Sequence, residues 1–192
     1  MTITDLDPKN QEHITQVAAL LTDAFRHIPD TWSTQEEALA EVQESFAPGR
    51  ISRVALDEVG DVLGWIGGIP EYDGNVYELH PLAVKTDQQR KGIGTALIQD
   101  FEEQVRQRGA MTIMLGTDDE FEGTNLFGVD LYPDIAARIY GIENRKNHPY
   151  EFYLKCGYVI YGLLPDANGF GKPDILMAKR VGPVKGSNDA QE

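Results

Sequence analysis

The chain has 192 residues, of which 41% are hydrophobic, and it carries a formal net charge of −14. A chain of this size can bury a full hydrophobic core, and we expect one domain over residues 1–181 with a flexible C-terminal tail over 182–192. The excess of 31 acidic over 17 basic residues argues against a nucleic-acid partner, whose phosphates require a basic surface, and is compatible with a cationic ligand.

The apolar runs and the cysteine content argue against a membrane protein, a secreted protein and a zinc protein. Charged or polar residues interrupt every apolar run before it reaches the length of a membrane span, and the N-terminal segment has no secretory-signal pattern. Cys156 is the single cysteine, so an internal disulfide is excluded, and no Cys/His spacing indicates zinc. We therefore expect a cytoplasmic protein that holds no metal.

Two amphipathic helices are predicted near the start of the chain. Residues 11–27 place apolar side chains at the three- and four-residue spacing of a helix face. The tetrapeptide Ser33-Thr34-Gln35-Glu36 fits a capping box, which would open the second helix.

Three extended runs follow these helices. Ile51–Leu56 and residues 62–69 are predicted as strands joined by a turn at Gly60, and Val76–Val84 is predicted as a third strand. Pro81 lies inside the third run. Because proline has no N–H to donate, it predicts a bulge or the end of pairing at that point.

The clearest helix is predicted over residues 92–108, where apolar residues at four-residue intervals form a buried stripe and Gly109 ends the helix. The remaining predicted elements are a strand at 111–115, a long connection at 116–147 that is more helical from 130 to 140, a short helix at 149–156, and strands at 158–163 and 175–179. This order is typical of an α/β or α+β domain in which helices flank a sheet.

A glycine-rich turn with the sequence QRKGIG, residues 89–94, separates the third strand from the clearest helix. It is not a P-loop, because Lys91 precedes its glycine, and it is not a dinucleotide fingerprint, because Leu97 stands at the third glycine position. Exposed backbone N–H groups, a helix N-terminus and the charges of Arg90 and Lys91 would suit a diphosphate. The alternative is a turn whose basic side chains are merely solvated.

The same hexapeptide resembles the pyrophosphate-binding motif, Gln/Arg-x-x-Gly-x-Gly/Ala, of the GNAT N-acetyltransferase superfamily. Residues 148–158, HPYEFYLKCGY, are similar to the last helix-to-strand segment of that superfamily, with its Tyr-x-x-x-Gly-Phe/Tyr spacing. Four stretches, residues 78–82, 115–119, 148–153 and 165–174, resemble one subgroup, the aminoglycoside 6′-N-acetyltransferases. The subgroup often has Trp-Pro between its first two helices, whereas this chain has Ile28-Pro29 with Trp32 shortly after, which leaves the role of Trp32 open.

The resemblance implies a fold and a reaction. The fold is the GNAT acyl-CoA N-acyltransferase fold, of class α/β (α+β), with a mixed, mostly antiparallel sheet that is flanked by helices and splayed at strands 4 and 5. The reaction is direct transfer of the acetyl group of acetyl-CoA to the 6′-amine of an aminoglycoside in a ternary complex, which would confer antibiotic resistance. A homodimer without a metal is implied as well.

The resemblance also assigns residues to the coenzyme. The strand before the turn would pair with the pantetheine arm, the loop amides would bind the pyrophosphate, and a tyrosine would face the sulfur. The residues expected to bind the coenzyme are Leu82, Ala83, Val84, Gln89, Arg90, Lys91, Gly92, Ile93, Gly94, Thr95 and Tyr153.

Three residues would carry the chemistry of acetyl transfer. Glu78 is the candidate base for the substrate ammonium, the backbone N–H of Leu82 the donor to the thioester oxygen, and Tyr153 the donor to the leaving sulfur. The alternatives are that Glu78 and His80 form a surface pair and that the tyrosine only packs in the core. Cys156 is expected to be a small hydrophobic residue and not a nucleophile.

A polycationic substrate would be recognised by acidic and aromatic side chains. The expected substrate contacts are Glu78, His80, Asp118, Asp119, Tyr72 and Glu151. The two aspartates could instead form turns. Two other functions stay open, namely a GNAT enzyme acting on a polyamine, a peptide or a protein amine, and a non-enzymatic acyl-CoA-binding module.

Overall fold

The computed structural model describes residues 1–28 and 31–183. The chain divides into two compact units, which are Met1–Ile113 together with Arg180–Glu192, and Met114–Lys179. Pro29, and residues 184–192 of the predicted tail, lie outside the described residues. The division into a domain over 1–181 and a flexible tail stays a prediction.

The first unit combines an antiparallel sheet with three helices. Its strands pair in the order β1-β2-β3-β4, each antiparallel to its neighbour. The strands are β1 (Thr2–Asp5), β2 (Ile51–Leu56), β3 (Val62–Glu71) and β4 (Val76–Val84), and the helices are α1 (Gln11–Phe25), α2 (Gln35–Glu44) and α3 (Ile93–Gln107). β1 was not predicted, because its side chains are largely exposed and it is held by backbone pairing with β2.

The bulge expected at Pro81 is present in β4. Ile66 pairs with Leu82 and Gly68 pairs with Leu79, so two β4 residues stand opposite the single β3 residue Gly67. A Cβ atom at Gly67 would lie 2.3 Å from the carbonyl oxygen of His80. Glycine is therefore required where the bulged strand approaches β3.

Side chains cap the first two helices. The side chain of Asn10 accepts a hydrogen bond from the backbone N–H of His13 at the start of α1. At α2 the capping box is formed by Thr34 and Glu37, one residue later than predicted, and the hydroxyl of Ser33 also donates to the Glu37 carboxylate. The predicted helix is confirmed, and its capping pair is corrected.

The core of the first unit lies where α1 and α2 pack against the sheet. Trp65 is fully buried there and donates its indole N–H to the hydroxyl of Ser52 at 2.9 Å. Arg53 on β2 joins three elements, because its guanidinium binds Asp100 on α3 through two nitrogens and Asp5 on β1 through the third. A network of this kind fixes α3, and with it the turn that precedes α3, against the strands.

The second unit contains the remaining strands and two short helices. These elements are β5 (Thr112–Asp118, of which the first two residues belong to the first unit), α4 (Ile135–Tyr140), α5 (Tyr150–Lys155), β6 (Val159–Leu164) and β7 (Asp174–Arg180). The strand order is β5-β7-β6, with β6 and β7 antiparallel. The helix expected from residue 130 begins only at Ile135, after a single 3-10 turn over Tyr132–Asp134.

Residues 1–28 and 31–183 contain neither a membrane-spanning helix nor a cluster of metal-binding side chains. No helix there is long and apolar enough to cross a membrane. No group of three or more His, Cys, Asp or Glu side chains in this part of the chain could hold a metal ion.

Candidate active site

The turn between β4 and α3 presents its backbone outwards. Gly92 caps α3 at a φ of +86°, a left-handed conformation that glycine adopts without strain, and Arg90 has a φ of +61°. The side chains of Arg90 and Lys91 are exposed, and the Lys91 ammonium donates to the side chain of Gln88 at 3.0 Å. The turn thus carries two solvent-facing cations at the start of a helix.

The first turn of α3 has backbone donors without acceptors. The first intrahelical bond runs from the N–H of Ala96 to the carbonyl oxygen of Gly92 at 2.9 Å, and no side chain caps the helix. Within the described residues, the N–H groups of Ile93, Gly94 and Thr95 have no hydrogen-bond acceptor. No acidic residue occupies this turn, so the positive end of the helix dipole is uncompensated and fits a diphosphate.

The last residues of β4 lead into this turn. Leu82, Ala83 and Val84 pair with β3 through one side of the strand. The side-chain amide of Gln89 lies 3.4 Å from the carbonyl oxygen of Val84 and so links the strand end to the turn. Ten of the eleven predicted coenzyme contacts lie between Leu82 and Thr95, at the end of β4, in the turn and at the start of α3.

Glu78 and His80 lie on one face of β4, opposite the face on which Tyr77 and Leu79 are buried. Both Glu78 and His80 are half-buried. The carboxylate of Glu78 makes no hydrogen bond or ion pair with any residue that the structure describes. A carboxylate held by a strand, partly shielded from water and unpaired is available to a substrate amine.

Trp32 lies beside His80, with 5.6 Å between the two ring centroids. It packs edge-on against Phe25 at 4.8 Å, and its indole N–H faces a carboxylate oxygen of Glu41 at 3.4 Å. Its backbone has a φ of +43°, an uncommon conformation for so large a residue. Trp32 is therefore a neighbour of His80, a predicted substrate contact, and any part of Trp32 in substrate binding stays a prediction.

Tyr153 lies on α5, packed between Phe152 and Tyr158 with ring centroids 5.2 and 5.9 Å away. Desolvation by burial, and secondarily the electrostatic interaction with Cys156, raise the pKa of Tyr153 well above its ordinary value. The phenol therefore stays protonated at neutral pH, and its hydroxyl has no hydrogen-bond partner among the described residues. This geometry fits a hydrogen-bond donor to a sulfur.

Asp118, the last residue of β5, is exposed. One carboxylate oxygen, Oδ1, accepts a hydrogen bond from the side-chain amide of Asn168 at 2.6 Å. The other, Oδ2, has no partner within residues 1–28 and 31–183. Asn168 was not predicted as a neighbour of this carboxylate, although it lies in one of the stretches that carry the resemblance.

Asp119 has no exposed surface, which contradicts its predicted role as a substrate contact. Its carboxylate accepts hydrogen bonds from the backbone N–H of Gly123 at 2.7 Å, and from the N–H and the hydroxyl of Thr124 at 2.9 and 2.7 Å. A carboxylate with three internal donors and no access to solvent cannot bind an ammonium ion. Asp119 instead closes the loop that follows β5.

The other acidic residues of this loop are also engaged internally. The Glu122 carboxylate pairs with Lys146 at 2.5 Å, and this hydrogen bond is the main cause of its lowered pKa. Glu120 lies 3.9 Å from the Lys172 ammonium, while Asp130 and Asp134 accept bonds from backbone N–H groups two and three residues on. The carboxylates of this loop are therefore mostly structural.

Tyr72 and Glu151 are the last two predicted substrate contacts. Tyr72 is 72% exposed, at a φ of +51° in the 3-10 turn that joins β3 to β4. Glu151 is exposed in the first turn of α5. Both side chains are accessible, and their assignment to substrate stays a prediction.

Comparisons with known proteins identify the family of the chain. Residues 14–127 match the model of the acetyltransferase (GNAT) family. No curated protein matches the chain significantly. Among solved structures, an aminoglycoside 6′-N-acetyltransferase complexed with coenzyme A is 40% identical, with a TM-score of 0.89 over 96% of this chain and 99% of that one.

Two further structures agree in fold and length. The aminoglycoside 6′-N-acetyltransferase from Enterococcus faecium is 41% identical with a TM-score of 0.88, and an aminoglycoside 6′-acetyltransferase type Ii is 35% identical with a TM-score of 0.73. Each covers 96% of this chain and 99% of its own. The chain therefore belongs to the GNAT acetyltransferase family, as its turn before α3 predicted, and is an enzyme with the GNAT fold.

Proposed function

We propose that the protein transfers the acetyl group of acetyl-CoA to the 6′-amine of an aminoglycoside by direct attack in a ternary complex. The observation that carries the proposal is the open first turn of α3, whose free N–H groups stand beside Arg90 and Lys91 in an otherwise acidic chain. The aminoglycoside is inferred from the 35–41% identity with three aminoglycoside acetyltransferases.

The coenzyme would bind at the end of β4 and at the turn. Its pyrophosphate would accept hydrogen bonds from the amides of Ile93, Gly94 and Thr95, with Arg90 and Lys91 neutralising its charge. Its pantetheine arm would extend along the backbone of Leu82, Ala83 and Val84. No metal is assigned a part in this binding.

Glu78 would accept the proton of the substrate ammonium. With an amine pKa of about 10.4, only ~0.04% of the amine is neutral at pH 7, a deficit of ~4.6 kcal/mol. Glu78 offers an unpaired carboxylate on a fixed strand, and that is the group that this step needs. The neutral nitrogen then attacks the thioester carbonyl, whose oxygen would be stabilised by the N–H of Leu82 beside the bulge.

Tyr153 would stabilise the sulfur that leaves when the C–S bond breaks. Because its pKa is raised above 10.0 and that of a thiol is about 8.5, complete proton transfer to sulfur is uphill by at least ~2 kcal/mol. A hydrogen bond from the phenol is therefore its main contribution. The nitrogen loses its second proton as the amide forms. Of the two protons that leave the nitrogen, one ends on the sulfur and one is released to solvent.

Substrate would be held by accessible aromatic and acidic side chains. We assign Trp32 and His80 to a stacking surface for a sugar ring, and Asp118, Glu151 and Tyr72 to contacts with its amino and hydroxyl groups. One observation favours a second candidate, an enzyme for a smaller amine such as a polyamine or a peptide N-terminus. Most carboxylates of the loop after β5 are engaged internally, so fewer remain for a polycation than the sequence suggested.

We also propose a cytoplasmic homodimer that confers resistance to aminoglycosides. The strand β6 ends the order β5-β7-β6, and its residues Val159 and Tyr161 are 61% and 53% exposed. Apolar groups on the outermost strand of a sheet are a natural contact for a second copy.

A thiol-release assay with acetyl-CoA tests the proposal. The purified protein is offered an aminoglycoside with a 6′-amine, its 6′-hydroxy counterpart, a linear polyamine and a peptide with a free N-terminus. We expect thiol release with the 6′-amine and none with the 6′-hydroxy compound. Equal or faster release with the polyamine or the peptide would support the second candidate and contradict the first.

A further inference from the structure

His148 is a buried imidazole that the mechanism above does not use, and both of its ring nitrogens are engaged. Its Nε2 lies 3.0 Å from the carbonyl oxygen of Asp118, and its Nδ1 lies 3.2 Å from the backbone nitrogen of Tyr150. The carbonyl can only accept and the N–H can only donate. The ring is therefore neutral, with its proton on Nε2.

The two hydrogen-bond partners of His148 lie on two structural elements that carry residues of the proposed active site. Asp118 ends β5 and exposes a carboxylate, while Tyr150 begins α5, the helix that carries Tyr153 less than one turn further on. A side chain that binds both backbones fixes their separation. Because α5 has only 6 residues, its own hydrogen bonds hold its start weakly.

Further contacts surround the backbone and the ring of His148. The side chain of Asn144 binds the backbone N–H and the carbonyl oxygen of His148 at 2.8 and 2.9 Å. A Cβ atom at Gly123 would lie 2.7 Å from Cδ2 of the ring, so the loop packs directly on it. The ring centroid of Tyr150, at the start of α5, lies 5.7 Å from that of His148.

The charged groups that face His148 are the carboxylates of Asp118 and Asp119, at the end of β5 and in the loop after it. Both would favour the imidazolium form. Burial nevertheless outweighs them and lowers the pKa of His148 below its ordinary value, which agrees with the neutral form that the hydrogen bonds require. A second ring proton would point at the N–H of Tyr150 and break that contact.

We propose that His148 is a positioning residue, which sets the start of α5, and thereby the Tyr153 hydroxyl, relative to the exposed carboxylate of Asp118. This inference rests on the proposed function, because it supposes that Tyr153 and Asp118 act on the same substrates. It assigns to His148 no contact with substrate or coenzyme.

Two conservative variants separate the two contacts. In His148→Asn the side-chain oxygen can replace Nδ1 and keep the bond to Tyr150, whereas in His148→Gln the side-chain amide can replace Nε2 and keep the bond to Asp118. We expect His148→Gln to lower kcat on the order of 10- to 100-fold with little change in KM, because Tyr153 loses its placement. We expect His148→Asn to retain most of kcat and to raise KM for a polycationic substrate about threefold, because Asp118 moves.

His13 provides a matched control in the first unit. Its Nε2 also lies 3.1 Å from a backbone carbonyl oxygen, that of Gly60, in a half-buried position. His13→Gln and His13→Asn should lower the melting temperature without changing kcat or KM. The positioning role is wrong if the two His148 variants also change only the melting temperature. It is wrong as well if both variants change kcat and KM to the same extent.

A measurement without turnover keeps this inference separate from the proposed function. Nitrogen-15 spectra of the histidine rings should show His148 neutral and protonated on Nε2 at pH 7, and amide exchange at Tyr150 should speed up in His148→Gln but not in His148→Asn. An Nδ1-protonated ring would overturn the inference even in an active enzyme. If these spectra agree and the wild type acetylates none of the amines tested, the proposed function fails while the link between β5 and α5 stands.

Discussion

The turn before α3 and the loop after β5 are both rich in charge, and they use it in opposite ways. In the turn, three N–H groups and the Arg90 side chain have no partner among the described residues. In the loop, the carboxylates of Asp119, Glu122 and Asp134 are bound by groups of the same loop or its neighbours. Polar groups left unpaired by the fold are available to a ligand, whereas paired ones stabilise the fold, whatever their number.

The largest effect is expected where a paired carboxylate is removed. Asp119→Ala leaves three buried donors, on Gly123 and Thr124, without an acceptor, so the free energy of unfolding should fall by about 3–5 kcal/mol. Denaturant unfolding measures this loss. Asp118→Ala is the control, since its exposed carboxylate should cost less than about 0.5 kcal/mol. Equal losses in the two variants would contradict the structural role assigned to the buried carboxylate of Asp119.

An unpaired carboxylate should matter for rate and little for stability. Glu78→Gln should lower kcat/KM by about 100-fold or more at neutral pH, because the amine loses its proton acceptor, while unfolding stays nearly unchanged. The rate should recover in part as the pH approaches the pKa of the amine, where neutral substrate accumulates. Profiles of log rate against pH that are parallel for the variant and the wild type would show that Glu78 is not the base.

The open turn is tested by placing a carboxylate in it. Gly92→Asp should weaken coenzyme A binding by about 100-fold, because an anion then faces the pyrophosphate and the left-handed conformation is strained. Gly60→Asp is the matched control, with a φ of +97° and equally open space around the added Cβ. It should show similar strain in its melting temperature and unchanged affinity by calorimetry. Weakened binding in both variants would indicate strain and no pyrophosphate site.

Tyr153→Phe should lower kcat by about 10-fold while coenzyme A affinity is kept, because the phenol acts only once sulfur leaves. Since the pKa of Tyr153 is raised, the folded state holds this proton more tightly than the unfolded state. The free energy of unfolding of the wild type should therefore decrease as the pH rises above about 10, and that of Tyr153→Phe should decrease less. A loss of activity in the wild type between pH 8 and 9 that Tyr153→Phe abolishes would contradict a raised pKa.

Local patterns predicted most of the fold. Apolar periodicity located α1, α3 and the strands β2 to β4, because these elements bury one face each. β1 was missed since it buries almost no side chain. The capping box of α2 was placed one residue early because Ser33 and Thr34 are both followed three residues later by a glutamate, and only tertiary geometry selects Thr34.

The candidate site was predictable where it is contiguous in sequence. The turn at residues 89–94 is formed by neighbours, so its motif suffices. Asp118 and Asp119 could not be separated from the sequence, because adjacent residues at a strand end point to opposite sides and either could be the buried one. The partners His148 and Asn168 lie 30 and 50 residues beyond Asp118, a separation that local patterns do not bridge.

The smallest effect is expected at the exposed carboxylate that the loop leaves available. Asp118 has one carboxylate oxygen bound by Asn168 and one that is open, so Asp118→Asn removes a charge and little structure. An exposed ion pair contributes about 0.2–1 kcal/mol, which corresponds to a rise in KM of about 1.4- to 5-fold for a polycationic aminoglycoside. A monoamine of similar size should show a smaller rise, because it gains less from each carboxylate.

Salt provides a second test of the same carboxylate. At 1 M the Debye length is about 3 Å, so the difference in KM between wild type and Asp118→Asn should shrink towards zero. Glu143→Gln is the control, as Glu143 is an exposed acid in the same unit that is assigned no role in binding. A KM ratio between polyamine and monoamine that is the same in wild type, Asp118→Asn and Glu143→Gln would mean that the loop after β5 is structural throughout. Recognition of the substrate's charge would then belong to Glu78 and Glu151.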